Sequence, residues 1–175
     1  MVKAGSPAQR ASWLVAHLDS LPGSGIVYTL TVAQANDVAA LLAEQGHKVA
    51  SYTGATEAAE REQLEADLLA NRVKALIATS ALGMGFDKPD LGFVVHLGAP
   101  SSPIAYYQQV GRAGRAIDHA VVALLPSESD AGVWDYFATA TIPDPQQMDR
   151  VLAALADDET GGGQSAIALE AATGI

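Results

Sequence analysis

Five short apolar runs punctuate the chain: GIVYTL (25–30), KVASYT (48–53), VKALIAT (73–79), LGFVVHLG (91–98) and AVVALLP (120–126). Most are continuous rather than alternating, as expected of strands covered on both faces of a parallel sheet. Between them apolar residues recur at helical spacing. Residues 32–46 predict a helix capped by Thr31 and stopped at Gly46. Residues 56–72 place Leu64, Leu68 and Leu69 on one face, with Glu and Arg elsewhere. Ser102-Pro103 opens a third helix, serine as cap and proline at the first helical position. Strand then helix, repeated four times, predicts an α/β domain with a parallel sheet flanked by helices.

Two segments flank this unit. Residues 7–20 predict an amphipathic helix whose apolar stripe is Trp13, Leu14 and Leu18. After Pro126 the pattern becomes all-helical: SESDAGVWDYFATA behind a Ser127 cap, then PQQMDRVLAALADD. Glycines 161–163 read as a break, and SAIALEAATGI opens a further helix. The expected division is a first domain over 1–126 and an acidic helical extension over 127–175, the latter ending in the truncated start of another domain. Trp134, Tyr136 and Phe137 are expected in the core of that extension.

Composition narrows the class. The chain has 175 residues, 49% of them hydrophobic, enough for a packed core. It has no cysteine, which excludes disulfides and cysteine-ligated zinc and suits a reducing cytoplasm. His17, His47, His96 and His119 form no metal-spaced pair, so no metal site is expected. No apolar run approaches the roughly 18 residues of a membrane span, and MVKAGSPAQR lacks a signal-peptide core. The net charge of -10 weighs against a nucleic-acid surface. The charge is uneven, however. Residues 127–175 hold nine acids and one base, and residues 1–126 hold eleven acids and nine bases. A nearly neutral first domain leaves room for a local basic site.

Two stretches carry candidate chemistry. ATSALGMGFDKPD (78–90) follows a predicted buried strand, and loops at the carboxyl ends of parallel strands bind ligands in α/β proteins. Gly83 and Gly85 permit close backbone approach to a ligand. Asp87 can accept hydrogen bonds from ribose hydroxyls, while Thr79 and Ser80 offer hydroxyls and N–H groups to a phosphate. The alternative is an ordinary glycine-rich turn closed by Lys88-Pro89. The second stretch, QQVGRAGRA (108–116), sets Arg112 and Arg115 three apart on a slim backbone between Gly111 and Gly114. Arginine keeps its charge and binds phosphate bidentately. Two guanidiniums aimed at a γ-phosphate would stabilise charge developing in a transition state, an effect of roughly 10³–10⁵ in rate. Gln108 could contact the nucleotide or the attacking water. The alternative is two solvated arginines favoured by a helix C-terminus.

Taken together, GMGFDKPD, FVVHLGAP and YYQQVGRAGR resemble motifs V and VI of superfamily 2 helicases, the RecQ family of DNA helicases in particular. The resemblance runs from about Gly25 to Pro126, with GIVYTLT as motif IV. It implies the second RecA-like lobe of a two-lobed, ATP-dependent, 3′–5′ DNA helicase of repair and recombination. The chain has no G-x-x-x-x-G-K-[ST], and PGSG lacks the lysine. The resemblance therefore implies half of an ATP site, with ATP and Mg²⁺ held mainly by an N-terminal RecA-like lobe. Arg112 and Arg115 would be arginine fingers, Arg115 foremost, and Gln108 would join them. Gly83, Gly85 and Asp87 would face the nucleotide. Thr29, Thr31, Thr79, Ser80 and Arg61 would face the backbone of single-stranded or forked DNA, through hydroxyls and N–H groups more than net charge. Tyr52-Thr53-Gly54-Ala55 departs from the family's Tyr-His-Ala-Gly, Ala116 stands where an acid is usual, and no cysteine-rich zinc module follows. The isolated chain is expected to hydrolyse no ATP. The alternatives are an RNA helicase lobe and a non-catalytic RecA-like scaffold.

Overall fold

The structure is a computed structural model and describes residues 5–82, 86–127 and 145–156, with 130, 132 and 135. Helix α1 (Pro7–His17) begins at Ser6, whose hydroxyl accepts from the Gln9 N–H while the Gln9 side chain returns to the Ser6 N–H. Such a reciprocal cap satisfies two end donors at once. A 3₁₀ turn (Leu18–Ser20) leads to β1 (Gly25–Tyr28). Then come α2 (Val32–Glu44), β2 (Val49–Tyr52), α3 (Ala58–Leu69), β3 (Ala75–Ala78), β4 (Phe93–Leu97), α4 (Pro103–Val110) and β5 (Val121–Leu125). Helix α5 (Pro145–Ala156) follows.

The strands form one sheet in the order β2-β3-β1-β4-β5, every neighbouring pair parallel. Alternate side chains leave the sheet on opposite faces. Val27, Ile77 and Val95 meet Leu14 of α1, Leu18 of the 3₁₀ turn, and Val38 and Leu42 of α2. Ile26, Leu76 and Val94 meet Leu68 of α3, with Val110 at the end of α4 packed on their edge. Every residue of β1, β3 and β4 is buried, which explains why those runs read as continuous rather than alternating. Gly25 is where two central strands need the least bulk. A Cβ there would lie 2.3 Å from Cδ2 of Phe93, whose ring covers the glycine.

Two expectations change. Strand and helix alternate three times, not four, because no helix lies between β3 and β4 among the described residues. Three glycines and Pro89 in that connection oppose helix formation. Leu69 is 47% exposed while Leu68 is fully buried, so only Leu64 and Leu68 face the core. The cap of α3 is Glu57, with no side-chain hydrogen bond.

The chain divides into two compact units, residues 1–134 and 135–175. Asp130 belongs to the first. Its buried carboxylate accepts from the N–H groups of Ala99 (2.9 Å) and Ser127 (2.7 Å), fixing the chain after β5 to the loop after β4. In the second unit α5 lies within the predicted PQQMDRVLAALADD helix. Trp134, Tyr136, Phe137 and SAIALEAATGI lie outside the described residues.

Candidate functional site

The connection from β3 to β4 supplies one wall of the site. It leaves the sheet at Thr79, whose N–H donates to the Tyr52 carbonyl and prolongs the parallel ladder. By Phe86 and Asp87 it has reached the far end of α4. It is anchored there by Lys88, which is 2% exposed despite its charge. The Lys88 ammonium donates to Asp90 Oδ1 at 2.7 Å and to the Leu69 carbonyl at 3.4 Å. Asp90 also accepts from Asn71 Nδ2 (3.2 Å), and Ser24 Oγ donates to Asn71 Oδ1 (2.8 Å). The Lys88 hydrogen bond, with that from Asn71, holds the Asp90 carboxyl below its ordinary 3.8.

Helix α4 supplies the other wall. Ser102 caps it by accepting from the Ala105 N–H at 3.1 Å, and Pro103 follows at the first helical position. Past Gly111 the chain turns tightly, with Gly114 at φ +74°, a conformation that side chains rarely adopt. The Gly114 N–H donates to the Leu91 carbonyl, and that of Ala116 to Pro89. The turn thereby clips both arginines against the β3–β4 connection. Arg112 Nη1 donates to the Phe86 carbonyl at 2.7 Å. Arg115 Nε donates to the Gly111 carbonyl at 3.0 Å, and its Nη1 meets Asp87 Oδ1 at 2.9 Å. The Arg115 and Asp87 side chains are 51% and 58% exposed, so their ion pair is open to water.

Phe86, Asp87, Tyr107, Gln108, Arg112 and Arg115 line a cleft of ≈ 640 Å³. That size suits a small-molecule ligand. The structure thus brings four of the predicted residues together: Asp87, Gln108, Arg112 and Arg115. Gly83 and Gly85 lie outside the described residues. One expectation is corrected. The Asp87 end of the loop is not at the carboxyl ends of the strands but beside the turn that follows α4, because the connection has doubled back before entering β4. A larger cleft of ≈ 1160 Å³ lies where the strands begin. Its cations are largely engaged: Lys74 donates to the Leu21 and Gly23 carbonyls, and Arg72 pairs with Asp67.

The predicted polar-backbone contacts form a second group, at the carboxyl ends of β1 and β3. Thr29 donates its N–H to the Ala78 carbonyl (2.8 Å), and its hydroxyl reaches the Thr31 carbonyl (3.3 Å). The Thr31 hydroxyl caps α2 by accepting from the Gln34 N–H, and Thr79 Oγ1 accepts from the Ala81 N–H. Ser80 is exposed. Thr53, after β2, joins this row although the sequence did not single it out. Its hydroxyl accepts from the Ala55 N–H, and its N–H donates to Thr56 Oγ1. Arg61 is not an open surface arginine. It is half-buried beside the Tyr52 hydroxyl, which donates to Glu65.

Between the two groups lies a buried aromatic cluster that the sequence reading did not identify as part of a site. His96 of β4 is 1% exposed and stacks on Tyr28 of β1, with ring centroids 5.3 Å apart. Tyr106 of α4 tilts against it at 5.2 Å. His96 Nε2 lies 2.8 Å from Gln109 Oε1. Burial pushes the Tyr28 phenol up to about 12, against the opposing pull of the Arg112 charge. A histidine inside the apolar run FVVHL was the available signal, since a polar ring in a buried strand requires a partner.

The family model described as the helicase conserved C-terminal domain matches residues 9–117. The chain is 37% identical to the ATP-dependent DNA helicase RecQ of Synechocystis sp. over 120 residues, 69% of this chain and 24% of that protein. It is 40% identical to the RecQ-like DNA helicase blm-1 of Caenorhabditis elegans, over 54% of this chain and 10% of that protein. The chain therefore spans about a quarter or less of these relatives' length. The crystal structure of the E. coli DEAD-box protein SrmB, bound to regulator of ribonuclease activity A, superposes with a TM-score of 0.66. Its identity is 25%, and the match covers 81% of this chain and 84% of that one. A five-stranded parallel sheet, two arginines clipped to the preceding loop and a family match across both thus agree: the chain belongs to the helicase conserved C-terminal domain family, with RecQ helicases among its relatives.

Proposed function

We propose that this chain is the C-terminal motor lobe of an ATP-dependent DNA helicase and supplies one wall of an ATP site completed by a first RecA-like lobe. The observation that carries the reading is the convergence of Arg112 and Arg115 on Phe86 and Asp87 at an open cleft, in a sequence without a P-loop lysine motif. Arg112, half-buried and bonded to a backbone carbonyl, braces the wall. Arg115, half-exposed, is the group free to swing toward a γ-phosphate. Its pair with Asp87 is a solvent-open one, of about 0–1 kcal/mol, so releasing it is no barrier. Asp87 then turns to the ribose hydroxyls, and Gln108 faces the phosphate or the water. Preorganised guanidiniums stabilise charge that grows only in the transition state.

Among the described residues no three His, Asp or Glu side chains come together to hold a metal ion. The family resemblance assigns Mg²⁺ to the first lobe, where it would neutralise phosphate charge. Thr53, Thr79 and Thr29 stand in a row across adjacent strand ends, buried and with their N–H groups engaged within the protein, so the groups this edge offers a ligand are the exposed Thr31 and Ser80 hydroxyls. That suits single-stranded DNA, whose phosphates can be positioned without sequence readout. Arg61 is read instead as bracing Tyr52. Fold similarity to the RNA-helicase Prp28 from Chaetomium thermophilum, 26% identical with a TM-score of 0.66, keeps RNA as the second reading.

The test uses the full-length protein that contains this chain. Its ATPase should be stimulated by single-stranded DNA more than by RNA of the same sequence, and this chain alone should give no turnover. Turnover by the pure chain would contradict the half-site. Stimulation by RNA alone would make it an RNA helicase lobe.

A further inference from the structure

Helix α4 carries Gln108 and leads into the turn that bears Arg112 and Arg115, yet none of its eight residues is buried. Ile104 and Tyr107 are 70% and 78% exposed. Val110, at its last turn, is its partly buried apolar contact with the core beneath. Such a helix has no wide apolar stripe to fix its rotation about its own axis. The polar contact that does so is made by Gln109, which turns inward and meets His96 Nε2 at 2.8 Å. The proton is assigned to Nε2 because the amide oxygen can only accept. His96 cannot yield sideways, since Tyr28 stacks on it at 5.3 Å and Tyr106 leans on it at 5.2 Å. Nδ1 is buried without a hydrogen-bond partner among the described residues, so the Nε2 bond is the ring's one polar anchor. Gln109 sits next to Gln108, and its carbonyl accepts from the Arg112 N–H at 3.3 Å.

We propose that the His96–Gln109 hydrogen bond, gripped between Tyr28 and Tyr106, is a positioning device for ATP hydrolysis: it sets the rotation of α4 and so aims Gln108, Arg112 and Arg115 at the cleft. The inference rests on the function proposed above. Its leverage is geometric. Side-chain tips lie about 6 Å from a helix axis, so a rotation of roughly 10–20° moves them about 1–2 Å. A misplacement of about 1 Å can cost on the order of 10²-fold in rate. Neither residue touches the reacting atoms. The cluster also joins β1, one residue before Thr29, to the helix that leads into the arginine turn, and thereby links the two groups of the site.

The experiment measures single-stranded-DNA-stimulated ATPase of the full-length protein carrying Gln109→Leu, His96→Leu or His96→Gln, each well below its melting temperature. Gln109→Leu and His96→Leu should lower kcat roughly 10- to 100-fold with KM for ATP within about threefold. His96→Gln, whose amide N–H stands close to where Nε2–H stood, should return kcat to within a few-fold of wild type. If His96→Leu fails to fold, Gln109→Leu carries the test, because Gln109 is half-buried and leucine fills a similar space. Wild-type kcat in Gln109→Leu, or His96→Gln as slow as His96→Leu, overturns the positioning role while leaving the ATP site intact. A wild-type protein with no ATPase overturns the proposed function and this inference with it.

Discussion

Lys88 is among the largest side chains fully withdrawn from solvent, and it carries a charge. Its partner Asp90 is 48% exposed, so the two ends of this ion pair are unequal. Removing Asp90 strands an ammonium in the interior with one long contact, 3.4 Å to the Leu69 carbonyl. Breaking a buried pair from one side typically costs 3–5 kcal/mol. Here water can enter where the half-exposed carboxylate stood, which lowers the expected cost of Asp90→Ala to about 2–4 kcal/mol. Removing the lysine is different. Lys88→Met keeps the buried stem, deletes the desolvated charge and leaves Asp90 in contact with water. Its expected cost is about 0–1 kcal/mol, and in the double variant Asp90→Ala should then cost little more. Urea titration of the purified chain, followed by far-UV circular dichroism, measures all three. Asp90→Ala within 0.5 kcal/mol of wild type, roughly the reach of a neutral surface change, would refute the reasoning. So would Lys88→Met as damaging as Asp90→Ala.

Two further outcomes follow from the core. Gly25→Ala pushes a methyl to 2.3 Å from the Phe93 ring between two central strands, and should cost about 3 kcal/mol or more in urea titration, with part recovered by adding Phe93→Leu. Burial holds His96 below its ordinary 6.5, against the opposing effect of the Gln109 bond, with Tyr28 and Tyr106 as the facing groups and Arg112 acting on Tyr28. The unfolded chain therefore takes up a proton that the folded chain refuses. Stability should fall as pH drops from 6.5 toward the folded value, by up to about 1.4 kcal/mol per pH unit, and His96→Gln should flatten that slope.

Much of the fold was legible because both faces of the sheet are covered, and apolar runs such as ALIA and FVVHL then stand out without alternation. The caps at Thr31 and Ser102 were legible for a local reason, since their hydroxyls serve N–H groups only three residues on. Leu69 misled because helical periodicity gives a face but not its width. The Asp87–Arg115 pair was not legible as a contact. It depends on where the β3–β4 connection turns back, which Lys88 and its neighbour Asp90 decide through residues farther off in sequence, Leu69 and Asn71. Arg61 looked like a solvated cation on a polar helix, and its half-buried place beside Tyr52 is set by tertiary packing. His96 and Gln109 carried a signal, a polar residue in a buried strand, but its partner lies on another element.

The measurement that bears most directly on the central claim is pre-steady-state ATP hydrolysis by the full-length protein carrying Arg115→Ala, with nucleotide affinity measured alongside. Arg115 as a group that acts in the transition state predicts a loss of roughly 10³–10⁵ in the hydrolysis step, with ATP affinity within a few-fold of wild type. Hydrolysis within a few-fold of wild type would contradict it, and would leave Arg115 as no more than the surface partner of Asp87.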